Sequence, residues 1–483
     1  MKTPSTQTTK KFSPTKRILI ALTAFAIGGV AVSLGIAENK KNTASINSPV
    51  KVAPEIAQTA PPTQPNPTAA SGSAAPSTAT SGKAATATQP TIPTTTGATP
   101  PGSSATSVPM AITPQIIPSA ATTMIDATKA KNPSEIISSV LEAVRKGNDM
   151  PGMAAAVIQD GKIIGVGATG VRKRNETSPV LRDDQFHLGS CSKAFTATLI
   201  GILVDEGKLN WDSTISDLIG RELTSMNPDY AGVTIDQLLH HRSGAWPNGP
   251  SEIWKAAQHA TGTPTQQRQI YVEGILSQPP KFAPGQYLYS NAGYATLGFI
   301  AETITHTPYE QLMQQKVFLP LGLTSAGFGN AGNANELTAP YPHSESGTPN
   351  FIDNPEAITP AGRIHMNMMD WAKFCLFHLG HQTNPPLLKP QTLEHLHTIA
   401  GEVAEDKFGY ACGWMRPNRD WAGGRTLHHA GSNTMNYCAV WLSPQKDFGV
   451  LVATNQGGKQ ADIAVQEACQ TLIEFFMSTP QKK

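Results

Sequence analysis

FHLGSCSKAFTATLIGILVDEGKLNWDSTI, residues 186–215, is the stretch that decides how this chain is read. It sets Ser190 three residues before Lys193, and the next run, from Ala194 to Val204, is uncharged and mostly apolar. On a helix, residues i and i+3 share a face, so this spacing brings Ser190 Oγ and Lys193 Nζ within reach of each other. A serine hydroxyl is a weak nucleophile until a neighbouring base takes its proton. An amine can be that base only if burial or nearby charge brings its pKa down toward neutrality. The bare S-x-x-K spacing is unspecific, since Ser13–Lys16, Ser48–Lys51 and Ser443–Lys446 also satisfy it. Those three carry Pro directly after Ser, however, and only Ser190 opens a sustained apolar helix that would hold the pair inside a core. Cys191, between the two serines, is expected to be a small buried residue rather than a redox centre.

Further along, PGQYLYSNAGYATLGFIAE, residues 284–302, contains Tyr289-Ser290-Asn291. Among nine tyrosines, only Tyr289 is followed two residues later by Asn. A tyrosine beside a Ser–Lys pair can shuttle a proton to the leaving group, and an Asn side chain can anchor a substrate amide. The same residues also fit a buried aromatic cluster of Tyr287, Tyr289 and Tyr294, with Asn291 capping a helix.

Around these motifs the pattern is that of an α/β domain. Asn132-Pro133-Ser134-Glu135 supplies an N-cap, Pro at the first helical position and an acid behind it, and Ile136, Ile137, Val140, Leu141 and Val144 recur at helical spacing. Met153–Ile158 and Ile163–Val166 read as two strands of a hairpin joined across Gln159–Lys162. Strand-like runs return at Tyr410–Met415, Tyr437–Leu442 and Phe448–Thr454, and a helical pattern from about Ala461 to Met477 closes the domain. The expectation is an antiparallel sheet completed by both ends of the domain and flanked by terminal helices, with a helical subdomain between.

Taken in order, Ser190-Cys191-Ser192-Lys193, then Tyr289-Ser290-Asn291, then His429-Ala430-Gly431 before a late strand, the chain resembles the serine β-lactamase and penicillin-binding protein superfamily, in its class C-like branch. Pro151-Gly152, Asp160-Gly161, Leu238–Gly244, Pro284-Gly285 and Phe408–Trp414 are similar as well, so the resemblance spans roughly residues 130 to 478. It implies a β-lactamase/DD-peptidase-like fold and a serine hydrolase acting through an acyl-serine intermediate on an amide or ester: a β-lactam, a D-amino-acid peptide or a carboxylic ester. In that scheme Ser190 is the nucleophile, Lys193 and Tyr289 are its proton-transfer partners, and Asn291, His429 and Gly431 line the substrate cleft. The Ser432 N–H would join that of Ser190 as the oxyanion hole. No cofactor and no metal are expected, because His240/His241, His395/His397 and His428/His429 show no acid at ligand spacing. His429 stands where many members carry the Lys of Lys-Thr-Gly, and a histidine is mostly neutral at neutral pH. That shifts the expectation towards esters, amides or modified peptides, with lower pH, below the histidine pKa, favouring anionic substrates. The class A pattern is disfavoured, since Ser-Asp-Asn is replaced by Tyr289-Ser290-Asn291, and no G-x-S-x-G elbow is present. A non-catalytic, penicillin-binding or scaffolding protein that kept the fold is the alternative.

Bulk properties narrow the setting. The net charge of +2 and the lack of a basic run interleaved with aromatics give no case for nucleic acid. Five scattered cysteines with no CxxC pair do not make a disulfide scaffold. Residues 1–17 form a basic tail, and Ile18 to Ala37 is an uncharged stretch of about the 20 residues that a membrane span requires. The stretch reads as an uncleaved anchor or a signal peptide, and the positive flank places the remainder of the chain outside the cytoplasm. Residues 38–122, rich in Pro, Ala, Thr and Ser, have too little apolar surface to fold and form a linker of roughly 50 Å reach, leaving residues 123–483 as the hydrolase domain. The partners expected are therefore a small-molecule or peptide substrate, the membrane and, through the linker, cell-wall peptidoglycan. A reporter fused after Lys483 should work only outside the cytoplasm; activity confined to the cytoplasm would overturn the export reading.

Overall fold

A computed structural model describes residues 132–401 and 409–478. The expected tail, apolar segment and linker lie outside the described residues, as does Phe408. Among the described residues no helix is long and apolar enough to cross a membrane.

The domain starts as the capping pattern requires. Helix α1 runs Pro133–Gly147, the Asn132 side chain accepts the Glu135 N–H at 3.1 Å, and Ile137, Val140, Leu141 and Val144 are its buried face. Strands β1 (Gly152–Gln159) and β2 (Lys162–Gly170) form the expected hairpin, turned by Asp160 and Gly161, both at positive φ. The chain then enters a helical region containing α2 (Ser192–Asp205), α3 (Asn291–Thr305) and α4 (Met368–His378). It returns to the sheet as β3 (Leu427–Ser432), β4 (Tyr437–Ser443) and β5 (Phe448–Thr454), and closes with α5 (Lys459–Ser478). The sheet order is β2-β1-β5-β4-β3 with every pairing antiparallel, so the first and last strands of the chain meet at β1–β5 in its middle.

The sheet is covered on both faces, which explains why its strands read as continuous apolar runs instead of alternating with polar residues. Along β1, Met153, Ala155 and Val157 join a core with α1 and α5, while Ala154, Ala156 and Ile158 join the core of the helical region. Strand β5 divides likewise, Val450 and Val452 to one side and Leu451 and Ala453 to the other. Helix α2 is buried all round from Ser192 to Leu203, as a helix apolar on every face must be. Its Phe195 stacks on Phe374 of α4 at 3.6 Å between ring centroids.

One expected strand is not a strand. Tyr410–Met415 folds back on itself, with Tyr410 and Met415 bridging each other and the Ala411 N–H donating to the Trp414 carbonyl at 2.7 Å. The reversal turns on Gly413, at φ 78°, where an added Cβ would lie 2.6–2.8 Å from backbone atoms of Lys193 and Ala194. The apolar residues there serve to press this turn against the start of α2, not to extend the sheet.

Candidate active site

Ser190 lies in a single 3-10 turn, Gly189–Cys191, that feeds directly into α2, and it is half-buried. Lys193, one turn on, is fully buried, with Nζ 3.3 Å from Ser190 Oγ, 2.7 Å from Asn291 Oδ1 and 2.7 Å from the Ala361 carbonyl. The rings of Tyr289 and Tyr294 wall the amine at 4.7 and 5.6 Å. Burial pushes its pKa well below the ordinary lysine range. A neutral amine has two N–H donors and one lone pair, and the two carbonyl oxygens take both donors. A charged Lys193 donates to Ser190 Oγ as well; on losing a proton it would free a lone pair for the Ser190 hydroxyl, the arrangement a general base needs.

Tyr289 stands beside Ser190, and burial pushes its phenol well above the usual range, so it stays a neutral phenol next to that hydroxyl. The two readings of Tyr289-Ser290-Asn291 divide by residue. Ser290 caps α3, accepting the Gly293 N–H at 2.8 Å, while Asn291 Oδ1 holds Lys193 and its Nδ2 donates to Asn248 Oδ1 at 2.7 Å. Both ends of the Asn291 amide are therefore engaged within the protein.

The aromatic cluster extends beyond the three tyrosines. His241, buried and at φ 58°, accepts the Ser290 N–H on Nδ1 at 3.1 Å and packs its ring 4.3 Å from that of Tyr289 and 4.5 Å from that of Tyr410. Burial and the neighbouring Lys193 push its pKa far down, so it stays an uncharged wall of the site. His241 and Tyr410 were present in the sequence only as parts of longer similar stretches. No local pattern marked them, because the contacts joining them to Tyr289 cross 48 and 121 residues of chain.

His429 is almost fully buried. Its Nδ1 donates to the Ala430 carbonyl at 2.6 Å, and its Nε2 accepts from the Tyr410 hydroxyl at 3.2 Å. Burial, with Lys193 nearby, pushes its pKa down to about 3. This corrects the expectation of a titration near the ordinary histidine value. The imidazole is neutral throughout the physiological range, and lowering the pH to about 5 does not charge it.

The two backbone donors meet through glycine. The His428 N–H and C=O pair with Met415 on the side away from β4, at 2.9 and 2.8 Å, and by strand alternation the Ser432 N–H faces that same side. There β3 touches the nucleophile turn backbone to backbone. A Cβ on Gly431 would lie 2.0 Å from the Leu188 carbonyl and 2.9 Å from Ser190 N, and one on Gly189 would lie 2.3 Å from Ser432 N. Gly189 itself sits at φ 48°, in the left-handed region. Beneath this contact Cys438 Sγ donates to the Leu188 carbonyl at 3.2 Å and lies 3.7 Å from Cys191 Sγ, both thiols buried. The backbone nitrogens of Ser190, at a helix start where such groups lack intrahelical partners, and of Ser432 are thus both drawn to the glycine contact.

Among the other histidines, His240 does have an acid at helical spacing, Asp236 four residues earlier, and the fold adds Cys412. His240 Nδ1 lies 2.9 Å from the Asp236 carbonyl and 3.2 Å from Asp236 Oδ1, and Nε2 lies 3.0 Å from the Thr398 carbonyl. His395 Nε2 reaches Asp236 Oδ1 at 2.9 Å. Burial opposes a charge on His240, but Cys412 and Asp236 outweigh it and raise its pKa to about 11. With both ring nitrogens donating, this cluster is a buried ion pair bracing the turn that carries His241.

A serine one helical turn before a buried lysine, set between an antiparallel sheet and a helical region, is the arrangement of the serine β-lactamase and penicillin-binding protein class. The chain belongs to the beta-lactamase family, whose sequence model matches residues 137–468. It is 26% identical over 333 residues to Protein flp of Staphylococcus aureus strain N315, covering 66% of this chain and 62% of that protein. It is equally 26% identical over 330 residues to Penicillin-binding protein 4 of Amycolatopsis lactamdurans, covering 65% of this chain and 84% of that one. In fold it is similar to the octameric penicillin-binding protein homologue from Pyrococcus abyssi, with TM-score 0.59, 21% identity and coverage of 72% and 78% of the two chains. The class C beta lactamase from Rhodobacter sphaeroides superposes with TM-score 0.58 at 20% identity, covering 72% of this chain and all of that one.

The glycine contact is open to a direct test. Gly431→Ala forces β3 away from the nucleophile turn and should lower kcat by about a hundredfold to a thousandfold, the loss typical of an oxyanion donor. Ester turnover measured beside the melting temperature checks this, and unchanged turnover in a folded variant would show that Ser432 N–H plays no part.

Proposed function

We propose that this protein is an acyl-serine hydrolase whose substrates are esters or amides with uncharged acyl groups. The observation that carries the reading is the buried Lys193 amine, held by the Asn291 and Ala361 carbonyls with Nζ 3.3 Å from Ser190 Oγ. As Ser190 Oγ forms its bond to the substrate carbonyl carbon, the hydroxyl proton passes to Lys193 Nζ. The carbonyl π electrons move onto oxygen, between the N–H groups of Ser190 and Ser432. Collapse of the adduct expels the leaving group, which takes its proton from the Tyr289 hydroxyl, and Tyr289 recovers one from the Lys193 ammonium. Water then attacks the acyl-enzyme, giving one proton to the same pair; collapse of the adduct breaks the bond to Ser190 Oγ, which takes that proton back from the pair, and the carboxylic acid is released.

A fluorophosphonate probe tests this at its root. The wild-type protein should label and Ser190→Ala should not, while Lys193→Met, which removes the base, should label at least about a hundredfold more slowly. Labelling that survives in Ser190→Ala would refute the assignment, and a wild type inert to ester and probe alike would favour the scaffold reading.

Substrate preference rests on His429. Its two nitrogens are spent on Ala430 and Tyr410, so it offers a substrate carboxylate neither charge nor donor. A hydrogen bond to a charged group contributes about 1.5–3 kcal/mol, roughly tenfold to a hundredfold in transition-state affinity. Short-chain aryl esters should accordingly turn over faster than cephalosporins bearing a free carboxylate. Lys193 must lose its proton to act, and its pKa is lowered, so kcat/KM for both substrates should rise together with pH. With His429 titrating only near about 3, the ratio of the two should stay flat from about pH 5 to about pH 8. A ratio swinging towards the cephalosporin as pH falls across that window would show that a histidine charge governs selection.

A further inference from the structure

Both oxyanion donors are tied, at one residue's remove, to the same carboxylate. On the nucleophile side, His187 Nδ1 accepts the Gly189 N–H at 3.0 Å, and its Nε2 lies 3.1 Å from Asp353 Oδ1. Gly189 is the left-handed residue whose carbonyl carbon carries the Ser190 amide, so its orientation sets where the Ser190 N–H points. On the sheet side, Asn433 Nδ2 donates to the same Asp353 Oδ1 at 2.9 Å. Asn433 comes directly after Ser432 and organises the turn between β3 and β4, its Oδ1 accepting the N–H groups of Met435 at 3.2 Å and Asn436 at 2.9 Å. The remaining oxygen of Asp353 accepts from Arg363 Nε at 3.2 Å. The next residue, Asn354, donates to the Gly362 carbonyl at 2.9 Å, adjacent to the Ala361 carbonyl that holds Lys193.

We propose that Asp353 is the positioning residue of the oxyanion hole, a single carboxylate that fixes the Ser190 donor through His187 and Gly189 and the Ser432 donor through Asn433. The two donors lie on segments more than two hundred residues apart, and beside the glycine contact and the buried Cys191 and Cys438 thiols this hub sets their mutual orientation. Because it acts on groups that tighten on the oxyanion in the transition state, Asp353 governs kcat and leaves ground-state binding of an uncharged ester nearly untouched. A misplacement of the donors by about 1 Å is worth up to about a hundredfold in rate.

The proposal rests on the acyl-serine reading, and the experiment keeps the two apart. The full chain carries the isosteric change Asp353→Asn, and kcat and KM are measured separately on an aryl ester. Affinity for an aryl boronic acid, whose tetrahedral serine adduct places an oxygen between the two donors, is measured beside them. The expected result is a kcat lowered by about tenfold to a hundredfold, KM within about threefold of wild type, and boronic acid affinity lowered in parallel with kcat. His187→Asn keeps an acceptor for Gly189 but breaks the link to Asp353, and should lower kcat in the same manner. The double variant should lose less than the product of the single losses, because the two residues act along one chain. Should Asp353→Asn fail to fold, His187→Asn decides alone. A folded variant with unchanged kcat, or with KM raised and boronic acid affinity intact, overturns the proposal. A wild-type protein inert to ester and fluorophosphonate overturns the acyl-serine reading instead.

Discussion

An amine sealed in an apolar core is tolerated only when it sheds its charge or finds a counter-ion, because desolvating an unpaired ammonium costs several kcal/mol even after the surroundings relax. Lys193 is fully buried, and the groups within hydrogen-bond reach of Nζ are two carbonyl oxygens and a hydroxyl, not a carboxylate. The fold thus enforces the neutral amine, and most of the site derives from that. Asn291 and Ala361 must present oxygens, the surrounding wall must be aromatic and uncharged, and His241 and His429 are driven to their neutral forms chiefly by burial.

The sheet supplies the second half of the chemistry by a constraint of another kind. Strand β3 is the edge of the sheet; His428 spends its outward backbone groups on Met415, and past that bridge the edge turns to the segment carrying Ser190. That edge is brought against the nucleophile turn by two glycines at which a Cβ would collide with backbone. The proposed oxyanion hole is therefore a backbone contact between the sheet and the helical region. Its accuracy depends on what holds those two parts in register: the buried thiols of Cys191 and Cys438 beneath it and the Asp353 carboxylate at its rim.

The replacement of the family's usual lysine by His429 is more complete in the fold than a titration argument alone suggests. A histidine exposed in a cleft would be an acid–base switch, whereas this one is locked between the Ala430 carbonyl and the Tyr410 hydroxyl. It is best understood as part of the aromatic wall that keeps Lys193 dry.

The elements whose signals are local were legible in the chain. The α1 cap, the β1–β2 hairpin, β4, β5, α5 and the Ser190–Lys193 pair each declare themselves through spacing within a few residues, because capping, strand burial and a helical turn act over that range. The order of the three motifs pointed to the fold and to Ser190, Lys193 and Tyr289. Where the sequence misled, long-range packing had overridden local pattern. Tyr410–Met415 has the composition of a strand but reverses on Gly413 to meet α2, and His429 has an ordinary histidine's chemistry until burial removes it. What only the tertiary structure decided is which partners the polar atoms find: Asn291 turned to the lysine, Tyr410 to His429, and Asp353 shared between Asn433 and His187. Those pairings join residues from about 20 to more than 160 positions apart, and contacts at such separations leave no periodicity in the chain to be read.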